Sequence, residues 1–388
     1  MNILIAPNAF KDSLDATAAA RAIAAGLEGS RLDSRCELFP VGDGGDGTGE
    51  LLVARLGGER RTTPAHDPLQ RPIQADFGLV DGGATGVVEM AAASGLRLLT
   101  RAERDPLRAT SFGAGELVAA AFEAGARRIV LCVGGSATVD GGAGLLQALG
   151  VRFLDAAASD LTNLPAGLSR LETIDLSQAH PQLGHARVTV LCDVENPILG
   201  RLGAAAVYGP QKGAGPKAVA MLETALARYC EVIRRQTGRD VADLPRGGAA
   251  GGVAAGLFGL ANAELVRGID YFLDVTDFDA AVAKCDLVIT GEGRIDSQTL
   301  QGKAPIGVAM RARVAGVPVV ALAGQVAADA RGELEQAFNL VLSIGAGPMG
   351  LEEALRRTAD DLARTGREIA DLIAQGGVAA LSRRRSSA

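Results

Sequence analysis

Residues 134–144 read G-G-S-A-T-V-D-G-G-A-G, directly after the apolar run I-V-L-C-V (129–133) and directly before Leu145, Leu146 and Leu149. An unbroken apolar run of this length suits a strand buried on both faces. The spacing that follows suits a helix, so the segment reads as strand, glycine-rich loop and helix start, the unit from which parallel α/β sheets are built. Glycines let a backbone approach a ligand closely, and Ser136, Thr138 and the first amide N–H groups of the helix can bond anionic oxygens. Asp140 sets a carboxylate among those donors. A carboxylate repels phosphate unless a cation lies between them, so the loop suits a metal–phosphate site. It equally suits a plain strand–helix turn with Asp140 as N-cap.

Working outward, the same order of strand, polar loop and helix brackets the chain. Residues 2–6 form a buried-strand pattern ending at Pro7, followed by N-A-F-K-D-S-L-D and an alanine-rich helical run over 17–27. Lys11 and Ser13 then fall at the carboxyl end of a strand, where open α/β sheets bind ligands, although Ser13 also suits a helix cap. Residues 36–41 lead into G-D-G-G-D-G-T and a helix over 50–56, with Asp43 and Asp46 three apart among glycines. From 59 to 91 short alternating runs around Asp81-Gly82-Gly83 signal antiparallel hairpins, which sets a domain change near Gly57. Residues 188–192 are a further apolar run ending in Asp193 and Asn196, and Lys212 lies in the glycine-flanked Y-G-P-Q-K-G-A. The glycine-rich stretch 247–259 reads as close backbone packing ahead of a second phosphate loop. Residues 286–290 are a strand ending in G-E-G-R-I-D-S-Q-T, which holds Glu292, Arg294 and Asp296, and 317–322 and 340–343 are two more strands. The expected architecture is α/β: a parallel-sheet domain from residues 1–57 and 285–388, with a large mixed α/β domain, 58–284, inserted in it.

Composition bounds the function. The chain has 388 residues, 48% apolar content and a net charge of −6, enough to bury large cores and too acidic overall for a nucleic-acid or membrane-surface partner. Arg383, Arg384 and Arg385 read as a solvated tail. Five scattered cysteines in apolar runs read as reduced core residues, and neither a leader peptide nor a membrane span is expected, which points to the cytoplasm. His180 and His185 lie in a polar connector and have no partner motif.

Five strand-end loops therefore combine small residues with carboxylates or lysines: Lys11/Ser13, Asp43/Asp46, Ser136/Asp140, Asp193/Lys212 and Glu292/Arg294/Asp296. Phosphoryl transfer asks for carboxylates to hold magnesium, cations and N–H groups to offset phosphoryl charge, and a carboxylate to orient or deprotonate a hydroxyl. There is no G-x-x-x-x-G-K-[ST] run and no H-R-D catalytic loop, which excludes P-loop enzymes and protein kinases. A dinucleotide oxidoreductase lacks its G-x-G-x-x-G after the first strand.

Taken together, I-A-P-N-A-F-K-D-S-L, P-V-G-D-G-G-D-G-T, V-G-G-S-A-T-V-D-G-G-A-G, C-D-V-E-N-P-I-L-G, Y-G-P-Q-K-G-A and T-G-E-G-R-I-D-S-Q-T-L-Q-G-K-A-P resemble the bacterial type I glycerate kinase family, in family order over nearly the whole chain. The resemblance implies a discontinuous flavodoxin-like domain and ATP-dependent, magnesium-dependent phosphorylation of D-glycerate, most often at the 2-hydroxyl. The alternative is a non-catalytic small-acid sensor or a degenerate kinase. On this reading Lys11, Ser13, Asp43, Gly44 and Gly45 take glycerate, and Gly134, Gly135, Ser136, Thr138 and Lys212 take ATP. Asp140, Asp193, Glu292 and Asp296 take the metal, and Asp43, Asp193 and Lys11 act in the chemistry. A homodimer is left open. The chain departs from the usual family pattern at Asn8, Ala9, Asp12, Asp46 and Val139. The family more often has an aspartate where this chain has Asn8, an asparagine where it has Val139, and the longer glutamate where it has Asp46.

Overall fold

Strands form on apolar runs such as 2–7 and 128–132 and also on more polar segments such as 59–66. In chain order they are β1 (Asn2–Pro7), β2 (Arg35–Leu38), β3 (Glu59–His66), β4 (Pro72–Val80), β5 (Thr85–Glu89), β6 (Arg128–Cys132), β7 (Arg152–Leu154), β8 (Thr173–Asp175), β9 (Arg187–Cys192), β10 (Glu264–Arg267), β11 (Leu287–Ile295), β12 (Val319–Val326) and β13 (Leu340–Ser343). The structure is a computed structural model, and it describes residues 1–296, 299, 302–327 and 331–377. The arginine tail at 383–385 and Ser297, Gln298, Leu300 and Gln301 of the last motif lie outside the described residues.

Two compact units form, one from Met1–Asp43 with the described residues from Ile269 onward, the other from Gly44–Gly268. In the first unit, five strands pair in the order β13-β12-β11-β1-β2, all in parallel. Renumbered within the unit, that order is 2-1-3-4-5, the flavodoxin-like doubly wound arrangement, whose topological switch point falls between β1 and β11. Ile3, Ile5, Leu287, Ile289, Val320 and Leu322 share a core with the helices Ala16–Glu28 and Leu351–Leu372. These two helices approach closely: a Cβ at Gly26 would lie 2.0 Å from the Ala363 carbonyl oxygen. The first helix is capped by Asp15, which accepts from Ala18 N–H at 2.7 Å, and not by Ser13.

In the second unit six strands pair in the order β10-β9-β6-β5-β4-β3. The run β5, β6, β9 and β10 is parallel, and β4 is antiparallel to both β3 and β5, which is the hairpin texture expected for residues 59–91. β10 went unread in the sequence because E-L-V-R is only four residues with a charge at each end. The changeovers fall at Asp43/Gly44 and Gly268/Ile269 rather than near Gly57 and 285. The helix Thr48–Arg55 belongs with the second sheet, where Val53 covers β4: a Cβ at Gly78 would meet Val53 Cγ2 at 2.1 Å. Phe278 belongs with the first unit, edge-on to Phe39 at 5.0 Å between ring centroids.

The glycine-rich stretch is backbone packing. A Cβ at Gly251, where φ is +69°, would sit 2.0 Å from the Thr138 carbonyl oxygen, and Gly141 N–H donates to Gly251 O at 3.0 Å. The loop at 134–142 is thus clamped from behind by the helix Ala249–Ala261. None of the five cysteines is in a disulfide, and no helix among the described residues is long and apolar enough to cross a membrane.

Candidate active site

The switch point of the first sheet gathers one polar cluster. β1 ends at Pro7, and Asn8 N–H donates to Gly291 O of neighbouring β11 at 2.8 Å, so the loop carrying Lys11 folds over the carboxyl end of β11. A Cβ at Gly293 would lie 3.3 Å from Lys11 N. Asn8 Oδ1 accepts from Ala9 N–H at 2.8 Å, and its Nδ2 donates to Asp43 Oδ2 at 2.9 Å. Asp43 is buried, Lys11 is exposed, and the Ser13 hydroxyl donates to Leu355 O at 2.6 Å. That bond ties Ser13 to the Leu351–Leu372 helix, so the hydroxyl expected to meet substrate is already serving the fold.

Glu292, 8% exposed, joins the same cluster from β11. Burial pushes its carboxyl up to about 7, with Asp43 and Asp296 adding to the rise, while the Thr299 hydroxyl, donating at 2.7 Å, and Lys303 oppose it. Asp296 lies 3.2 Å from Arg294 Nε and turns the chain through Thr299. Thr299 and Lys303 were not foreseen. The D-x-x-T spacing from Asp296 to Thr299 carried the signal, since a threonine three residues past an aspartate closes this kind of turn.

The second unit holds the glycine-loop cluster. Gly134 N–H donates to Gly44 O at 2.9 Å, and a Cβ on Gly134 would lie 2.4 Å from Gly45 Cα. The glycines at 134 and 44–45 therefore let two backbone segments touch each other, where the expectation was a backbone touching a ligand. Lys212, 3% exposed, donates from Nζ to Ser136 Oγ at 2.9 Å and to Thr138 O at 2.7 Å. Burial holds its ammonium down to about 7, against the pull of Asp140 in the other direction. The amine lies behind the loop rather than on its outer side. Thr138 is wholly buried, and Gly135 has φ +69° beside Ala91 and Asp46.

Asp140 lies inside the loop's own hydrogen-bond network. It is 0% exposed, Oδ1 accepts from Gly142 N–H at 3.0 Å, and Oδ2 accepts from Ser111 N–H and Ser111 Oγ–H, both at 2.7 Å, and from Gly144 N–H at 3.3 Å. A carboxylate with this many internal donors shapes the loop. Asp193 stands exposed at the carboxyl end of β9. Close by, the Tyr208 hydroxyl donates to Asn196 Oδ1 at 2.7 Å. Among the described residues no three His, Cys, Asp or Glu side chains are arranged to hold a metal ion.

A cavity of about 470 Å³ opens between the helix Thr48–Arg55 and β4–β5, lined by Val53, Gln74, Asp76, Val87, Glu89 and Arg97 among others. Glu89 accepts from Gly49 N–H at 2.6 Å, and burial pushes its carboxyl up to about 7.

Comparison with known proteins agrees with this architecture. The family profile described as "Glycerate kinase family" matches residues 3–374. A protein of Bacillus subtilis strain 168 named glycerate kinase is 43% identical over 95% of this chain and 97% of its own length. One of Escherichia coli K12 named glycerate 2-kinase is 41% identical over 97% of this chain and 99% of its own. A crystal structure of a candidate glycerate kinase 2 from Salmonella typhimurium LT2 superposes with a TM-score of 0.83 at 42% identity, covering 97% of this chain and 99% of that one. With a family match along nearly its full length and relatives this similar on both chains, the protein belongs to the glycerate kinase family and is a kinase.

Proposed function

We propose that this protein transfers the γ-phosphoryl group of ATP to D-glycerate, at the 2-hydroxyl, with Mg²⁺. The observation that carries the reading is the full-length similarity to proteins named glycerate kinase, one of them a glycerate 2-kinase. The geometry supports it. Lys11 is an exposed cation at the switch point and suits the glycerate carboxylate. Asp43, held by Asn8, suits the hydroxyl: it orients the O–H and accepts its proton as the oxygen forms a bond to the γ-phosphorus and the bond to the β–γ bridging oxygen breaks, releasing ADP.

In the second unit, Ser136 and the loop that Lys212 braces suit the ATP phosphates, with the ammonium adding positive potential from behind. The metal fits Glu292 by chemistry. This buried carboxylate, pressed by Asp43 and Asp296, is costly to ionise without a cation, and Asp296 lies in the same cluster to help hold one. Magnesium bound there would offset charge on the phosphoryl oxygens. Asp193 is the remaining candidate carboxylate, exposed at the end of β9. The cytoplasm, where ATP and magnesium are at hand, is the compartment that fits.

A substrate panel tests the reading. With ATP and Mg²⁺, ADP release should depend on D-glycerate and be weak with L-glycerate, lactate and glycerol. Glycerate binding without ADP release would make the protein a small-acid binder and discard the kinase assignment for this chain.

A further inference from the structure

We propose that Asn8 is a positioning residue for the transfer step, fixing Asp43 through its side-chain amide. The inference rests on the function proposed above and adds a residue to it. The amide orientation is determined by the structure: Ala9 N–H donates at 2.8 Å to one end of the Asn8 side chain, which must therefore be the oxygen, so the end facing Asp43 Oδ2 at 2.9 Å is the NH₂ donor. The backbone beneath it is equally constrained, since Asn8 N–H donates to Gly291 O across the sheet at 2.8 Å. A held donor thus engages one oxygen of a buried carboxylate at the switch point.

The residue type matters. In place of Asn8, the aspartate usual in the resembled pattern would face carboxylate with carboxylate, a pair that needs a shared proton or a cation between its members. An asparagine supplies a permanent neutral donor, so in this chain the 8/43 pair holds its geometry with neither.

A double-mutant cycle tests the coupling in the full-length protein. Asn8→Ala should lower kcat about tenfold or more, the scale set by one hydrogen bond to a charged group, while the Michaelis constants for ATP and glycerate change less than about threefold. In an Asp43→Asn background, Asn8→Ala should cost little further in kcat, because the group it positions is gone. Additive losses in the cycle, or an Asn8→Ala kcat equal to that of the parent, would overturn the inference while leaving the kinase reading standing. A loss of activity that merely follows a lowered Tm and is recovered on cooling would overturn it too, since that marks a structural role. Absence of glycerate-dependent ADP release in the unmodified protein would instead defeat the functional reading on which the inference rests.

Discussion

Asp43 was legible as a candidate from the glycines around it, but what distinguishes it is its partner 35 positions away in sequence, which no local pattern reveals. If it handles the hydroxyl proton, Asp43→Asn should lower kcat by roughly 10²–10⁴ with little change in the glycerate Michaelis constant, and unchanged turnover in steady-state assays would reduce it to a turn residue. Lys11→Met should raise the glycerate Michaelis constant about tenfold and spare that for ATP. The reverse split would move Lys11 to the phosphates. Ser13 shows the opposite case, a residue in the right loop whose hydroxyl is bound to Leu355 O on a helix 342 positions later.

Glu89 yields a pH prediction at this same scale. Its folded carboxyl is raised to about 7 from 4.5, so between those values the folded state binds more protons than the unfolded chain. The stabilising contribution is full below about pH 4.5 and is lost as pH rises through 7. Glu89→Gln keeps an acceptor for Gly49 N–H and removes the titration. Its Tm relative to the parent should therefore climb from pH 4.5 to pH 8, by an amount corresponding to about 3 kcal/mol. Parallel curves for the two proteins would refute the raised carboxyl.

At the scale of elements, the loop at 134–142 was correctly placed between strand and helix. What local pattern does not show is that two of the Asp140 donors, Ser111 N–H and Oγ–H, come from a segment 29 residues earlier. Asp140→Asn places an NH₂ group among N–H donors. The metal-free protein should then lose roughly 2–4 kcal/mol of stability in denaturant unfolding. A purely metal-binding Asp140 would leave that stability unchanged. The glycine-rich stretch at 247–259, by contrast, reads correctly as packing. Gly251→Ala, at φ +69° and with only 2.0 Å to Thr138 O, should destabilise the second unit strongly, and a Tm close to that of the parent would contradict the clamp.

At the scale of the whole molecule, alternation of strand and helix gave away the doubly wound sheet, since the short apolar runs within 286–290 and 317–322, each followed by helical sequence, read as buried parallel strands. Boundaries were harder to read. Helices such as Thr48–Arg55 look alike in sequence whichever sheet they cover, and contacts such as Val53 over Gly78 and Gly49 N–H to Glu89 decide the matter. Residues 44–268 form a continuous stretch with their own sheet and core, so that fragment expressed alone should unfold cooperatively with a native-like near-UV spectrum. A molten, non-cooperative fragment would show that the unit is not autonomous. The motif order along the chain made the family legible. The acceptor hydroxyl is a finer matter, because it depends on how glycerate lies against Lys11 and Asp43. The most direct test of the central claim is phosphorus NMR of the reaction of the full-length protein with ATP, Mg²⁺ and D-glycerate. The expected result is ADP together with the resonance of 2-phosphoglycerate. A 3-phosphoglycerate resonance would contradict the assigned hydroxyl, and unchanged ATP would contradict the kinase account itself.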